Sequence, residues 1–263
     1  MTLREVTRTV VSLVENVSGC PVVVSEDASL KTLAASSIAR GANRIHTISY
    51  NPSVVREPDY VICYQCGFIL RLFGVAESDR VDLAGTLEGR QIIHRLLTSA
   101  DGPGKKLNLP PDSVAVLRDQ LFDGLMQQLR SIPIGFRVDA WIMREYPELG
   151  QLQRDMAMRQ IKDNLAALGP EIKKIAPKKI YQSNLSMSAA FAEFWARRFS
   201  DPTLSLPYKA AGFLKAGEEL LAILEEIPDA PPSADRELVD AWGDQLSLTG
   251  WYQWVPYDAP RDS

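Results

Sequence analysis

The cysteines and histidines are the first candidates for chemistry in this 263-residue sequence, because these side chains bind metals and thiols also take part in redox exchange. Cys63 and Cys66 form a C-x-x-C pair, a spacing that is typical of zinc and redox sites. No second pair accompanies them, and they lie inside a predicted helix rather than at its start, where a thiolate is stabilised. We therefore interpret both as buried packing residues.

The sequence contains only two histidines, His46 and His94. A zinc site built mainly from histidine needs three, so such a site cannot be assembled here. Each histidine is interpreted as a hydrogen-bonded structural residue. The odd number of cysteines, three, does not suit a disulfide framework and favours a reducing compartment.

A predicted helix over residues 58–73 would position Cys63 and Cys66. Pro58 and Asp59 are typical of a helix start, and Phe73 is the last residue of the apolar pattern. Between Tyr60 and Phe73 only Gln65 and Arg71 are strongly polar, so this helix is apolar almost all round. A helix of that kind is expected inside the fold.

The segments before this helix predict a small sheet beside a surface helix. Apolar spacing predicts a helix over residues 3–17, followed by a strand over residues 21–25. Asp27 and Ser29 can cap a second helix, which we expect to run to Arg40. Residues 44–50 alternate in polarity, as in a half-exposed strand.

The second half of the chain predicts helices separated by prolines. A loop is expected over residues 101–111, and Pro133 is expected to separate the first two of the following helices. The predicted helices span residues 112–130, 134–145, 147–168, 183–199, 208–226 and 234–245. The aromatic end, residues 251–257, is expected to dock on the body. These patterns predict an α+β, predominantly helical fold in which residues 1–100 and 101–263 form one compact unit.

Residues 46–52, 59–62 and 67–71 resemble a group of bacterial zinc metallopeptidases related to the ImmA/IrrE class. In that group the helix reads roughly Asp-Tyr-x-Ile-x-His-Glu-Cys-Gly-His-Ile-Leu-Arg. The two histidines lie four residues apart on one helix face and bind zinc, and the glutamate acts as the general base. The resemblance implies a zincin-like core with the former active site on the buried helix.

Carried over position by position, the resemblance places Tyr64 at the first histidine, Gln65 at the glutamate and Phe68 at the second histidine. Phe68 cannot bind a metal, and Gln65 cannot accept a proton from a bound water. Asp139 is the candidate for the acidic third ligand that the resemblance implies. No zinc is therefore expected unless the motif is restored.

The remnant cleft is expected to contain His46, Tyr60, Arg71 and Asp139 beside the changed positions. Tyr60, Tyr64 and Phe68 share one helix face, so their rings are expected to fill the space of the metal and its ligands. Arg71 could bind an anionic ligand there. An ion pair with Asp59, Asp139 or another acid is the favoured interpretation, because an unpaired buried charge is costly.

These observations predict a non-catalytic peptidase-like protein that binds a protein or peptide in the cleft, with residues 44–50 as an edge strand for peptide addition. The alternatives are a zinc hydrolase with unusual ligands, an inactivated form of one, and a structural subunit whose aromatic end packs on a partner. A net charge of −4 argues against nucleic acid. No apolar run reaches the roughly 20 residues of a membrane span, and Glu5 near the start does not suit an export signal, so the cytoplasm is expected.

Overall fold

Helix α1 (Glu5–Ser18) opens the computed structural model, which describes residues 3–230 and 234–258. Its Val10 and Val14 are buried, and it ends at Gly19, whose positive φ of 66° lets its amide bond the Glu15 carbonyl. The N-terminal part continues with β1 (Val22–Glu26), β2 (Ala34–Ser37), β3 (His46–Tyr50), α2 (Asp59–Phe73), β4 (Val81–Gly85) and α3 (Leu87–Thr98).

Helices dominate the C-terminal part. They are α4 (Pro103–Lys106), α5 (Pro111–Glu145), α6 (Gly150–Asn164), α7 (Pro170–Ile175), α8 (Lys178–Phe199), α9 (Leu206–Ala210), α10 (Leu214–Glu226) and α11 (Ala234–Gln245), and strand β5 (Tyr252–Pro256) follows them. Short 3₁₀ turns connect several of them, at Glu77–Asp79, Pro147–Leu149, Leu165–Leu168 and Pro202–Leu204. The predicted class, α+β and predominantly helical, is confirmed.

Strand β3 is the centre of a three-stranded sheet with the order β1-β3-β2. It is parallel to β1 and antiparallel to β2. The prediction of an edge strand over residues 44–50 was therefore wrong. Alternating polarity indicates a strand with two different faces, and it says nothing about whether both edges are paired.

The helix predicted from Asp27 to Arg40 was also wrong, because this segment contains turns and the edge strand β2. The segment is rich in alanine and serine and has no apolar stripe that could bury a helix face. Asp27 still forms the local bond expected of a capping residue, since its carboxylate accepts the Ser29 amide at 2.9 Å. Pairing with β3 decides the structure of the rest.

Helix α5 runs through Pro133, where the sequence predicted a break. An internal proline removes one backbone hydrogen bond and costs roughly 3 kcal/mol in a helix interior. Here Pro133 is itself buried, and Leu129 and Phe136 on either side are almost fully buried. The packing of this helix offsets the cost.

The aromatic end docks on the body, as predicted, and it does so as a strand that the sequence did not indicate. β5 pairs antiparallel with β4, and Trp251 and Tyr257 at its two ends are buried. This pairing joins the end of the chain to its first hundred residues. No helix within residues 3–230 and 234–258 combines the length and apolar character that crossing a bilayer requires.

Candidate functional site

Helix α2 lies between the three-stranded sheet and α5. Nine of its fifteen residues are buried, including Ile62 and Ile69, so the predicted buried helix is confirmed. Gly67 lets α5 come close, because a Cβ at this position would overlap the Val138 side chain. Tyr64, Gln65 and Phe68, which line open space, are among its six partly exposed residues.

Three aromatic rings follow one another along this face of α2, as predicted. The ring centroids of Tyr60 and Tyr64 are 5.9 Å apart, and those of Tyr64 and Phe68 are 5.2 Å apart. The Tyr64 hydroxyl packs against Gly135 of α5, where any Cβ would overlap it. The rings thus occupy the space between α2 and α5 where the resemblance would put a metal and its ligands.

Gln65 connects this helix to the edge of the sheet. The Ser36 hydroxyl, on β2, donates a hydrogen bond to Gln65 Oε1 at 2.8 Å. An amide oxygen accepts this bond without taking up a proton, so Gln65 serves here as a structural acceptor. The position that the resemblance assigns to a general base holds the helix against the edge strand.

Asp139 of α5 is 2% exposed and lies next to the aromatic rings. Its Oδ1 accepts hydrogen bonds from the Tyr60 hydroxyl at 2.7 Å and from Gln153 Nε2 at 2.8 Å. Burial raises the pKa of this carboxyl to about 7, while the two hydrogen bonds and the charge of Arg198 act in the opposite direction. Asp139 is therefore a carboxyl that changes its protonation near neutral pH.

A groove opens over Tyr64 and Gln65, made of two adjoining cavities of about 390 and 730 Å³ that share these two residues, Thr32 and Ala34. We call it the edge groove. One wall is formed by residues 32–38, and the other by α5 and α6 with Gln127, Arg130 and Asp163. Six of the seven residues 32–38 line the larger cavity. Because successive side chains of a strand point to opposite faces of the sheet, consecutive lining residues indicate that the edge of β2, and not one of its faces, opens on this cavity.

The backbone of Ser36 points into the edge groove. The backbone N–H of Asn51 donates a hydrogen bond to the Leu33 carbonyl at 3.0 Å, so the backbone carbonyl of Leu33 points toward β3. Because backbone groups alternate in direction along a strand, Ala35 and Ser37 also face β3 and Ser36 faces away. Within residues 3–230 and 234–258 no other strand pairs with this side of β2.

His46 does not reach the edge groove. It is fully buried in β3, where its ring packs edge-on against Phe73 with centroids 5.1 Å apart. Its Nδ1 accepts the Ala39 amide at 3.0 Å, and burial lowers its pKa, so the neutral ring is favoured. The interpretation as a hydrogen-bonded structural residue is confirmed, and its assignment to the cleft was wrong.

Arg71 lies on another side of α2 and contributes to a separate cluster. Its Nε is 2.6 Å from Asp235 Oδ2, and its Nη2 contacts Asp229 Oδ1 at 2.5 Å. Arg137 joins through Asp235 at 2.9 Å. The ion-pair interpretation is confirmed with acids other than Asp59 or Asp139, and the placement of Arg71 beside Tyr64 was wrong.

Cys63 and Cys66 are fully buried in α2, and both are free thiols. Burial raises the pKa of Cys63 to about 12, and it raises the pKa of Cys66 as well. Such thiols stay protonated and are poor nucleophiles. The packing interpretation is confirmed.

The residues at the implied zinc position do not fit zinc. Phe68 has no donor atom, and burial raises the pKa of the Tyr64 phenol, which disfavours the phenolate that a metal would need. Asp139 is already engaged by two hydrogen-bond donors. In the described ranges no three side chains of His, Cys, Asp or Glu converge as a metal site.

Sequence reasoning missed three residues of this region: Ser36, Arg40 and Arg130. The last two line the edge groove and pair with a buried carboxylate, Asp82 of β4. Asp82 could have been noticed, because an acid in an alternating apolar run such as residues 81–85 requires a buried partner.

In comparisons with known proteins, no protein-family model, no curated protein and no solved structure matches this chain.

Proposed function

We propose that this chain is a non-catalytic protein on a zincin-like scaffold that binds an extended peptide segment in the edge groove. The observation that carries the proposal is the unpaired edge of β2, which opens on a groove rather than on bulk solvent. An added strand would bond to the Ser36 amide and carbonyl, and its side chains would contact the aromatic floor formed by Tyr64 and Phe68.

Main-chain pairing supplies affinity in this mode, and pockets for alternate side chains supply specificity. The four residues of β2 span about 13 Å at the usual rise of a strand, which is long enough for a short segment to pair. The smaller cavity continues the groove past Tyr60 and Asp139, so more of a bound segment is covered there.

We propose a non-catalytic protein because the side chains at the positions that the resemblance assigns to the zinc site make structural contacts. Gln65 accepts from Ser36, Tyr64 packs on α5, and Asp139 is held by Tyr60 and Gln153. A zinc hydrolase needs a metal-bound water and a base that accepts its proton, and these side chains supply neither. Residence in the reducing cytoplasm, which suits three free cysteines, belongs to the same proposal.

Selection from a random decapeptide display library on the immobilised protein tests the proposal. Selected peptides should bind the wild type in fluorescence anisotropy with micromolar affinity or better. Ser36→Pro should abolish this binding, because proline removes the amide that faces the groove without removing a bond to β3. Ser36→Ala is the matched control, since it keeps the amide and should bind within about threefold of the wild type.

Two results would contradict the proposal. One is failure of the selection, or equal binding by Ser36→Pro and the wild type. The other is stoichiometric zinc in the purified protein, measured by elemental analysis, together with proteolytic activity that a chelator abolishes.

A further inference from the structure

Two arginines share one buried carboxylate beside the edge groove. Arg40 Nη1 is 3.3 Å from Asp82 Oδ2, and Arg130 Nη1 is 2.9 Å from Asp82 Oδ1. The Asp82 side chain is only 5% exposed, so solvent screens this cluster weakly. Among the described residues two positive charges face this one negative charge, so the cluster of these three side chains has a net positive charge.

Arg40 is the less exposed of the two arginines, and further contacts fix its position. Its Nε donates to the Tyr257 carbonyl, and its guanidinium carbon lies 4.4 Å from the centroid of the Tyr257 ring. Its Nη2 is buried and, among the described residues, has no hydrogen-bond partner. A charged donor held in this way raises the positive potential around it.

Arg130 is the arginine of this cluster that a ligand can reach. Its side chain is 34% exposed, and it lines the larger cavity of the edge groove. In the described part of the chain its one polar contact is Nη1 with Asp82, so its remaining N–H donors are not used. A guanidinium with spare donors is suited to a carboxylate.

The surroundings of Arg130 add no acid. The larger cavity is lined by both arginines and by uncharged side chains that include Asn43, Gln127 and Ser131, and the described lining contains no aspartate or glutamate. This contrasts with the whole chain, whose net charge is −4. It also contrasts with the smaller cavity, where Lys31 and Arg159 are accompanied by Asp139 and Asp163.

We infer that the segment bound along β2 carries an aspartate or glutamate side chain that pairs with Arg130. This inference rests on the proposed function and adds the chemistry of the ligand. Arg130 shares Asp82 with Arg40, which follows the end of β2 at Ser37 by three residues, so Arg130 lies at that end of the groove. The acidic residue should therefore occupy one fixed position in the peptide, near the end of the stretch that pairs with β2.

The test is the same decapeptide selection, carried out in parallel on the wild type and on Arg130→Gln. Wild-type selection should enrich Asp or Glu at one position, and Arg130→Gln should lose that enrichment. With one selected peptide, labelled with fluorescein and amidated at its C-terminus, Arg130→Gln should weaken binding at least about tenfold. Replacing the peptide's acid by its amide should weaken binding by a similar factor, and the two changes together should cost little more than either alone.

Arg90→Gln is the matched control. Arg90 is also 34% exposed and pairs with aspartates, Asp119 and Asp123, but it lies outside the edge groove. Its replacement should leave peptide affinity within twofold. Arg130→Lys keeps the charge and should bind more tightly than Arg130→Gln. Replacing the peptide's acid by its amide tests the inference on the unaltered wild-type protein.

Each other outcome has a distinct meaning. Selected peptides that require the Ser36 amide but show no acid, or that prefer Lys or Arg, would overturn this inference and leave the proposed function standing. Loss of binding on C-terminal amidation would assign the anion to the chain end and would overturn the side-chain assignment. A selection without any binder would overturn the proposed function itself.

Discussion

Replacing Asp139 by asparagine should change how the stability of the protein depends on pH. Burial raises the pKa of Asp139 from its ordinary 3.8 to about 7, whereas the unfolded chain keeps the ordinary value. Between about pH 4 and pH 7 the folded state therefore holds a proton that the unfolded state has lost. The free energy of unfolding then falls as the pH rises through this window.

The size of the effect follows from the shift. About three pKa units at 1.36 kcal/mol each give a fall on the order of 4 kcal/mol between pH 4 and pH 8. Asparagine stays neutral, and its Oδ1 can still accept from Tyr60 and Gln153. Asp139→Asn should match the wild type near pH 4 and exceed it by up to about 4 kcal/mol at pH 8.

Urea unfolding followed by tryptophan fluorescence, from pH 4 to pH 8.5, measures this difference. Asp163→Asn is the matched control, because Asp163 lines the same cavity and is 59% exposed, so its replacement should leave the profile parallel to that of the wild type. A difference between Asp139→Asn and the wild type that stays constant with pH would refute the burial argument. Lower stability of the variant at every pH would mean that the hydrogen bonds to the carboxylate outweigh its burial.

Two further changes test the packing and the ancestry of α2. Gly67→Ala should destabilise the protein by about 1–3 kcal/mol, because the added Cβ would overlap the Val138 side chain. In thermal unfolding, adding Val138→Ala should recover part of this loss. An unchanged melting temperature for Gly67→Ala alone would contradict the close approach of α2 and α5. The triple change Tyr64→His, Gln65→Glu and Phe68→His should create stoichiometric zinc binding in elemental analysis, and a folded triple variant that binds no zinc would count against the zincin-like scaffold.

The elements that the sequence predicted correctly have a strong local signal. Helix α2 was predicted because residues 59–73 are apolar almost all round, and the ring stack because Tyr60, Tyr64 and Phe68 are four residues apart. Helix α11 was predicted over the residues it occupies. In both helices the signal lies in consecutive residues of one segment and does not depend on distant contacts.

The elements that were missed depend on contacts between distant residues. β2 contains only alanine and serine, residues that are common in helices or turns, and it is a strand because it pairs with β3. Arg71 finds Asp229 and Asp235, which lie more than 150 residues further along the chain. No periodic pattern relates such positions.

The edge groove follows from the same missed contacts. Its wall is β2, which was predicted as a helix, and the strand predicted as the edge, β3, lies in the centre of the sheet. Three separate segments form the positive end of the groove: Arg40 follows β2, Asp82 lies on β4 and Arg130 lies on α5. Tyr64, Gln65 and Phe68 could be singled out from the sequence, and the surface beside them required the structure.

Hydrogen exchange at the Ser36 amide, followed by NMR with and without a saturating selected decapeptide, reports directly on strand addition to β2. An added strand should accept a hydrogen bond from this amide and slow its exchange at least about tenfold, while the Ala35 amide, which already faces β3, should change much less. Unchanged exchange at Ser36 in the saturated complex would contradict binding along the edge of β2.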